Sequence, residues 1–236
     1  MEWKEWEPIY LDIVARLDLD STMDVQATKL LSDLLKNVNP EPLLQQLEQR
    51  IRGKSVVVCG AGPSLEDHVQ TLRERSDFHD LVFVAADGAV SLLLEQTCPC
   101  DVIVTDLDGD FNHIKQATQQ GALVIVHGHG DNIDKIQNMV PDLGQVLGST
   151  QVEPTGRAFL WGGFTDGDRA CYVVIAYSPR EIILAGMDFG GVVGKWSKPT
   201  YEVHFSASQR KLVKLEIAHE LISTLFEKVD LPHTIL

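Results

Sequence analysis

The sequence predicts an α/β protein built on a mostly parallel β-sheet with helices on both faces. From residue 54 onwards, short β-branched runs alternate with amphipathic segments, which is the rhythm of strands joined by covering helices. Residues 1–52 instead repeat apolar residues at helical spacing. We therefore expect a helical extension at residues 1–52, a Rossmann-like α/β core at residues 53–190, and a glycine-rich loop with a C-terminal helix at residues 191–236.

Three helices are predicted in the N-terminal extension. Each carries apolar residues on one face, and cap or turn residues at 20–22 and 39–40 separate the three. We interpret these faces, together with Trp3 and Trp6, as packing against the main core. The apolar positions are Ile9, Ile13, Val14 and Leu17, then Leu30, Leu31, Leu34 and Leu35, and finally Leu43, Leu44, Leu47 and Ile51.

Five strands and six helices are predicted beyond the extension. The glycine-punctuated stretch from Gly186 to Pro199 predicts a loop before the last helix. That helix is expected to bury Leu212, Leu215, Ala218, Ile222 and Leu225. The strands are 55–59, 81–86, 102–105, 122–126 and 181–185, and the helices lie near 65–75, 88–96, 111–120, 131–139, 166–177 and 208–228.

The amino-acid composition argues against several classes of function, beginning with nucleic-acid binding. The 236 residues carry 20 Lys and Arg against 34 Asp and Glu, a formal net charge of −14, whereas a nucleic-acid binder usually presents a basic face. No apolar run approaches the length of a membrane span, and the first residues have no signal-peptide pattern. The four cysteines form no CxxC pair and predict reduced thiols. We expect a cytoplasmic protein that binds neither nucleic acid nor membrane, with a homodimer as one option for its assembly.

The first candidate site is an acidic cluster. Asp106, Asp108 and Asp110 directly follow a short apolar run, and three carboxylates so close together repel one another and resist desolvation. A solvated acidic turn is the alternative to a cation site. The string does not match a calcium-binding EF-hand loop, because Phe111 occupies the position that needs glycine. Magnesium fits better, since one or two carboxylates, water and substrate phosphates complete its coordination shell.

Two glycine-containing turns follow predicted strands. Gly60–Ser64 leads into a helix start, where free backbone N–H groups attract phosphate; a plain tight turn is the alternative. A dinucleotide-binding fingerprint needs a third glycine where Leu65 stands, so NAD binding is disfavoured. Asp87 and Gly88 close the next strand in a similar way. The Asp87 carboxylate could contact a ribose, ligate a metal or cap the following helix.

A histidine-containing loop follows the fourth predicted strand. His127-Gly-His129-Gly-Asp131-Asn132 nearly spells the HxHxDH signature of metallo-β-lactamase-type zinc hydrolases, but asparagine replaces the final histidine. The alternative interpretation is a polar loop whose histidines form local hydrogen bonds.

A second polar loop, residues 162–169, joins an apolar piece to a helix. It combines three glycines with Thr165, Asp166, Asp168 and Arg169. Capping of the following helix explains part of this set, and substrate recognition is the other interpretation.

Several of these motifs resemble those of known families. Asp87-Gly88-Ala89 and the run from Cys100 to Asp108 resemble the ADGGA and PDxIxGDxDS motifs of thiamin pyrophosphokinase. With Gly60–Leu65, His127–Asn132 and Phe164–Ala170 added, the set resembles more closely the archaeal 6-hydroxymethyl-7,8-dihydropterin pyrophosphokinases, the MptE-like group. The resemblance covers about residues 55–190.

This resemblance implies magnesium-dependent transfer of diphosphate from ATP to the hydroxymethyl oxygen of a reduced pterin, with AMP leaving, in folate-type or methanopterin cofactor synthesis. It assigns Asp106 and Asp108 to magnesium. Asp131 is the nearest candidate for the third metal segment of the thiamin enzymes, whose pattern is not reproduced. Arg169 is expected to neutralise developing charge. The expected ATP- and substrate-binding residues are Gly60, Gly62, Ser64, Asp87, Gly88, His129, Asn132, Thr165, Asp166, Asp168, and the loop residues Lys195 and Lys198, which could close over the phosphates.

Four other functions are compatible with the same residues. They are a thiamin pyrophosphokinase, a zinc hydrolase using His127, His129 and Asp131, a nonenzymatic nucleotide-binding module that docks through its N-terminal helices, and a glycosyltransferase-like protein. Nucleotide binding without AMP formation marks the nonenzymatic module. AMP release marks a pyrophosphokinase, tightly bound zinc marks the hydrolase, and a requirement for a sugar nucleotide marks the glycosyltransferase.

Overall fold

A wholly parallel, eight-stranded sheet runs through the centre of the computed structural model, which describes residues 1–236. Across this sheet the strand order is β10, β7, β1, β2, β3, β4, β5, β6, and β8 pairs with β9 in a separate antiparallel ribbon. The predicted mostly parallel α/β fold is confirmed. The strands are β1 (Ser55–Cys59), β2 (Val82–Ala86), β3 (Val102–Thr105), β4 (Leu123–Gly128), β5 (Leu147–Thr150), β6 (Ala158–Phe159), β7 (Glu181–Ala185), β8 (Val192–Val193), β9 (Phe205–Ser206) and β10 (His233–Ile235).

Nine α-helices connect and cover these strands. Three short 3-10 turns complete the secondary structure, at Phe78–Asp80, Gly130–Asn132 and Lys195–Ser197. No helix of the molecule combines the length and the apolar character that crossing a bilayer requires. The helices are α1 (Trp3–Leu17), α2 (Ser21–Leu34), α3 (Pro40–Ile51), α4 (Leu65–Arg73), α5 (Ala89–Glu95), α6 (Phe111–Gln119), α7 (Ile133–Leu143), α8 (Asp166–Ala176) and α9 (Gln209–Lys228).

The sheet divides the interior into two hydrophobic cores. Val56 and Val58 of β1 point into the first core, whereas Val57 and Cys59 point into the second, because successive side chains of a strand face opposite ways. Helices α1, α3, α8 and α9 cover the first face, and α2, α4, α5, α6 and α7 cover the second. Helices therefore shield both faces of the sheet from water, which explains why the strands are apolar at nearly every position.

The N-terminal helices are part of both cores. Trp6 of α1 is fully buried, donates its indole N–H to the Gln151 carbonyl oxygen at 2.9 Å, and meets the Tyr172 ring of α8 edge-on. Leu31 of α2 packs on the opposite face of the sheet. In the structure these helices pack onto the main core, as the sequence predicts.

All five predicted strands are present, and three further strands of the large sheet were not predicted. Of these, β5 reads Leu-Gly-Ser-Thr and β6 has only two residues, so neither presents a β-branched run. They are strands because the chain places β5 beside β4 and β6 beside β5, where the ladder continues.

The strand order places a crevice beside β1. The chain adds β2 to β6 on one side of β1 and then returns to place β7 on the other side. Loops that leave the carboxyl ends of β1 and β7 diverge at this point, and such a divergence is where open α/β sheets bind ligands. Functional residues are therefore expected at this edge of the sheet.

Candidate active site

A cleft of about 760 Å³ opens at the carboxyl ends of the strands. The loops after β1, β2, β3, β4 and β7 line its base, and the α1–α2 junction, the β8–β9 ribbon and the first half of α9 line its sides. Most of the predicted site residues border this cleft. Those that do are Gly60, Gly62, Asp87, Gly88, Asp106, Asp108, His129, Asp131, Thr165, Asp166 and Lys198, whereas Ser64, Asn132, Asp168, Arg169 and Lys195 lie outside its lining.

Three aspartates converge at the centre of the cleft. Asp87 follows β2, Asp106 follows β3 and Asp166 begins α8, and a carboxylate oxygen from each lies within 4.8 Å of the other two. Because β2 and β3 are adjacent and parallel, their carboxyl ends bring the first two together. The third arrives from the docking of α8 against the same strands.

Local hydrogen bonds hold Asp87 in place. The residue adopts a left-handed conformation, with φ of 42°, and its N–H donates to the Val104 carbonyl oxygen at 2.8 Å. Thr105 Oγ1 donates to Asp87 Oδ1 at 2.6 Å and accepts from the Leu107 N–H at 2.8 Å. A strained backbone of this kind is kept only where its surroundings demand it, and here it aims the carboxylate at Asp106.

The charges of the three carboxylates oppose one another. Burial and then the Asp106 charge raise the pKa of Asp87 to about 7. Burial, followed by the charges of Asp106 and Asp87, raises the pKa of Asp166 well above its ordinary value. Burial also acts against ionisation of Asp106, but the hydrogen bond and charge of His129, the Asp108 N–H and the Lys135 charge together lower that pKa. A cation among the three would remove this repulsion.

The donor set suits a hard divalent cation. All three side chains offer carboxylate oxygens, which are the ligands of Mg²⁺ and related ions, and no histidine or cysteine belongs to the group. His129 Nε2 lies 3.4 Å from Asp106 Oδ2 and orients that carboxylate. The residues therefore fit a magnesium site, although with Asp87 and Asp166 beside Asp106 rather than the predicted Asp108 and Asp131.

The other two predicted metal ligands are placed differently. Asp108 borders the cleft, but its Oδ1 forms an ion pair with Lys135, and its Oδ2 lies 3.7 Å from Lys198 Nζ. Asp131 stands exposed in the short turn at Gly130–Asn132. Neither carboxylate joins the three-aspartate group. Leu107, at φ of 67°, turns the chain between Asp106 and Asp108, and Asp131 lies in the turn after β4.

The zinc interpretation does not match the geometry. His127 is buried, and its ring approaches Gln151 Oε1 at 3.3 Å and Arg169 Nη2 at 3.0 Å. Burial, and then the Arg169 charge, hold the pKa of His127 well below its usual range. The rings of His127 and His129 stack 5.7 Å apart, and no metal-competent group includes either of them with Asp131.

Three predicted site residues support the loops around the cleft. Asn132 donates to the carbonyl oxygens of Asp106 at 2.8 Å and His127 at 2.7 Å, which ties the end of β3 to the end of β4. Asp168 accepts from the backbone N–H groups at the start of α8 and is fully buried. Arg169 is also fully buried, and its Nη2 donates to the Phe164 carbonyl oxygen at 3.0 Å. These contacts place the loop that carries Asp166.

The glycine turn after β1 is pressed against the loop after β7. Gly62 donates its N–H to the Gly186 carbonyl oxygen at 2.9 Å, and a Cβ at Gly62 would collide with that oxygen and with Asp188. The Asp188 carboxylate in turn accepts from the Ser64 hydroxyl at 2.7 Å and from its N–H at 3.1 Å. Glycine is required here because two backbones meet without room for a side chain.

Several residues of the cleft were not singled out from the sequence. Arg210, Lys211 and Lys214 line it from α9, and Asp188 lines it from the loop after β7. Sequence periodicity predicted α9 but assigned it only a packing role. A signal was present, since Lys211 and Lys214 stand three positions apart and so share one face of the helix.

Comparison with known proteins identifies the family. The sequence model described as "6-hydroxymethylpterin diphosphokinase MptE-like" matches residues 28–193. A protein of Pyrococcus furiosus named 6-hydroxymethyl-7,8-dihydropterin pyrophosphokinase is 42% identical over 225 residues, which cover 95% of this chain and 94% of that protein. The chain belongs to this family.

Two further relatives match this MptE-like chain over almost its whole length. Proteins with the same name from Methanocaldococcus jannaschii and Methanothermobacter thermautotrophicus are 37% and 36% identical, and each alignment covers 98% of this chain. It covers 98% and 97% of those proteins, respectively. The structure of the MAf glycosyltransferase from Magnetospirillum magneticum AMB-1 superposes with a TM-score of 0.50 over 89% of this chain and 38% of that one, at 14% identity. This likeness shows a shared fold.

Proposed function

We propose that this protein transfers a diphosphate group from ATP to the hydroxymethyl oxygen of 6-hydroxymethyl-7,8-dihydropterin and releases AMP. The observation that carries the proposal is the group formed by Asp87, Asp106 and Asp166 at the base of the cleft, in a chain that belongs to the MptE-like family. Relatives with this name match it over nearly their full lengths.

The reaction needs positioning and charge neutralisation more than a covalent nucleophile. The acceptor oxygen forms a bond to the β-phosphorus, the bond from that phosphorus to the oxygen bridging the α-phosphorus breaks, and the hydroxyl proton passes to water. Asp87, Asp106 and Asp166 would hold Mg²⁺, which when bound offsets the negative charge of the phosphates. His129 lies 3.4 Å from Asp106, helps to lower the pKa of that carboxyl and orients it for this task.

The shape of the cleft supports two substrates on either side of the aspartates. One wing lies at the ends of β1 and β7, where the Gly60–Gly62 turn and residues of the segment Met187–Val193 both line the cleft. The other lies at the ends of β4 and β5, beside the α1–α2 junction. Since β2 and β3 separate the wings, a donor in one and an acceptor in the other would meet at the aspartates.

The loop after β7 supports a closing role for its lysines. Lys198 Nζ lies 3.7 Å from Asp108 Oδ2 at the border of the cleft, and Lys195 Nζ lies 3.5 Å from Glu66 Oε2 beside it. Movement of this segment towards bound phosphates would exchange these partners for phosphate oxygens. Water would then be excluded from the transfer.

The decisive experiment is an acceptor assay. The protein is incubated with ATP, Mg²⁺ and 6-hydroxymethyl-7,8-dihydropterin, and AMP is separated by chromatography; parallel reactions contain thiamin, EDTA or no acceptor. We expect AMP to form only with the pterin and divalent metal. Formation of AMP with thiamin would change the acceptor, and nucleotide binding without any AMP would leave a nonenzymatic module.

A further inference from the structure

The first half of α9 presents two lysines to the cleft without an ion-pair or hydrogen-bond partner from the protein. Lys211 and Lys214 both border the cleft. Neither ammonium group has a carboxylate oxygen within 4.0 Å or a hydrogen-bond acceptor in the chain. Both side chains are half-buried, and their Nζ atoms are not among the fully enclosed polar atoms that lack a partner. Their charges are therefore open to the cleft.

The other cationic groups around the cleft are engaged. Lys135 and Lys198 pair with Asp108, and Lys195 pairs with Glu66. Arg210, the neighbour of Lys211, donates its Nη1 to the Leu17 carbonyl oxygen at 2.7 Å. In a chain with 34 acidic residues against 20 basic ones, two adjacent unpaired ammonium groups are not explained by a shortage of carboxylates.

The two lysines lie close to the aspartate group. Burial, and then the nearby Lys214 charge, lower the pKa of Lys211, while the charges of Asp166, Asp106 and Asp87 act in the opposite direction. Lys214 Nζ stands 5.8 Å from the centre of the Phe164 ring, which belongs to the loop that carries Asp166. The two ammonium groups and the carboxylates therefore face the same space from different elements.

We propose that Lys211 and Lys214 form a polyphosphate-binding subsite, which takes the phosphate chain of the nucleotide on the side away from the three aspartates. This inference rests on the proposed function for the identity of its ligand. A triphosphate carries more negative charge than one divalent cation neutralises, and a lysine face supplies the remainder. The spacing of three residues along a helix places both side chains on one side, with their Cβ atoms about 5–6 Å apart.

The fold holds this subsite in position. Ser208 caps α9 by accepting the Lys211 N–H at its Oγ, at 3.2 Å, and Ile217 and Leu221 anchor the helix in the first core. Ala218 continues the cleft-facing side one turn further along. The lysines are thus carried by a packed helix, whereas Lys195 and Lys198 are carried by a loop.

Calorimetric binding of inorganic triphosphate, ATP and adenosine to the full chain tests the proposal. We expect Lys211→Ala and Lys214→Ala each to raise the Kd of triphosphate and of ATP by about tenfold, as loss of a charge-assisted contact does, and to leave adenosine binding unchanged. Lys211→Arg keeps the charge and should recover most of the affinity. Lys228→Ala changes an exposed lysine of the same helix outside the cleft, and it should bind all three ligands like the wild type.

The outcomes separate this inference from the proposed function. Wild-type affinity for triphosphate and ATP in the folded double variant would overturn the subsite, and so would failure of the wild type to bind triphosphate with Mg²⁺ present. An equal loss of adenosine affinity would also overturn it. If the wild type forms no AMP from any acceptor but the alanine variants lose triphosphate, the proposed reaction fails while the subsite stands. Thermal unfolding of each variant verifies that it is folded.

Discussion

At the scale of single residues, the decisive feature is that three aspartates occupy a space suited to one positive ion. Two ionised carboxylates so close together destabilise each other, and burial increases that effect. Such an arrangement is expected where function requires the charge.

Replacing one carboxylate should impair the reaction more than the fold. Asp106→Asn and Asp166→Asn should each lower kcat/KM for diphosphate transfer by at least about 100-fold, as loss of a charge-stabilising group does. Without divalent metal, the melting temperature of Asp166→Asn should equal or exceed that of the wild type, because repulsion is relieved. That of Asp106→Asn should not rise, because the ionised Asp106 carboxylate is paired with His129 in the folded state. Asp110→Asn is the matched control: Asp110 caps α6 by accepting the Asn112 N–H at 2.8 Å, and asparagine preserves a cap. Loss of activity in this control alone would contradict the assignment.

The stability of the metal-free protein should depend on pH through Asp87. Its pKa rises from the ordinary 3.8 to about 7 in the folded state, so protonation favours folding. The stabilising contribution is complete below about pH 3.8 and is lost as the pH rises through about 7. In EDTA, the melting temperature of the wild type should therefore fall more steeply between pH 5 and pH 8 than that of Asp87→Asn.

Magnesium should reverse this trend, since ionised carboxylates bind the ion better as the pH rises. Differential scanning fluorimetry of both proteins, with EDTA and with Mg²⁺, measures the effect. Parallel pH profiles of wild type and variant would show that Asp87 titrates in its ordinary range.

The sequence reveals part of this site for a clear physical reason. Asp87 and Asp106 each follow an apolar run, and adjacent parallel strands bring such positions together, so both were named as candidates. Asp166 was named in its loop, but its distance to the others depends on how α8 docks. Lys211 and Lys214 were not predicted as site residues, because the helical repeat of α9 shows which of its faces is apolar but not which residues of other elements lie opposite its polar face.

At the scale of elements, the segment between β7 and α9 forms one side of the cleft. A Cβ at Gly88 would collide with the Trp196 carbonyl oxygen, and the Ser197 hydroxyl donates to the Ala61 carbonyl oxygen at 3.3 Å. The segment therefore rests directly on the turns after β1 and β2. Gly190, which belongs to the segment itself, instead has open space around it.

This difference supplies a matched pair of variants. Gly88→Ala should displace Trp196 and move Lys198 away from the cleft, which lowers kcat/KM for ATP by about 10- to 100-fold, as small misplacements do. Hydrogen exchange of residues 194–198 should become faster. Gly190→Ala should change neither quantity. Wild-type kcat/KM for ATP and wild-type hydrogen exchange in both variants would show that the segment has no role in nucleotide use.

Element prediction succeeded where the pattern was local. The five strands named from the sequence carry apolar or β-branched runs, and all are buried. By contrast, β10 reads His-Thr-Ile and is exposed at each position, so it is a strand only because β7 offers it an edge. The predicted helix near 131–139 begins later, at Ile133, after the short turn held by Asn132.

At the scale of the whole molecule, the N-terminal helices are inseparable from the site. Asp24 of α2 accepts hydrogen bonds from Tyr10 at 2.6 Å, Gly130 at 2.7 Å and Gln151 at 2.8 Å, and it also lines the cleft. Residues 1–52 thus bridge the loops after β4 and β5. We expect unfolding in urea to be a single transition seen equally by fluorescence and circular dichroism.

The core position of Trp6 provides a quantitative test. Trp6→Ala should lower the free energy of unfolding by about 3 to 5 kcal/mol, because a fully buried indole leaves a cavity and an unpaired carbonyl oxygen. Leu11→Ala, on the exposed face of the same helix, should change it by less than about 0.5 kcal/mol. Urea denaturation measures both. A small effect of Trp6→Ala would mean that α1 folds independently of the sheet.

The packing of α1 against α9 has a consequence for biosynthesis. Arg16 of α1 pairs with Glu220 at 2.6 Å and Glu216 at 3.4 Å, so α1 finds part of its packing partner in residues that the ribosome adds about 204 positions later. A nascent chain halted before residue 209 would carry its aspartates without the opposing lysines and would expose the side of α1 that packs against α9 to chaperones. Competence for the reaction therefore arises only after α9 has been translated and has packed against α1.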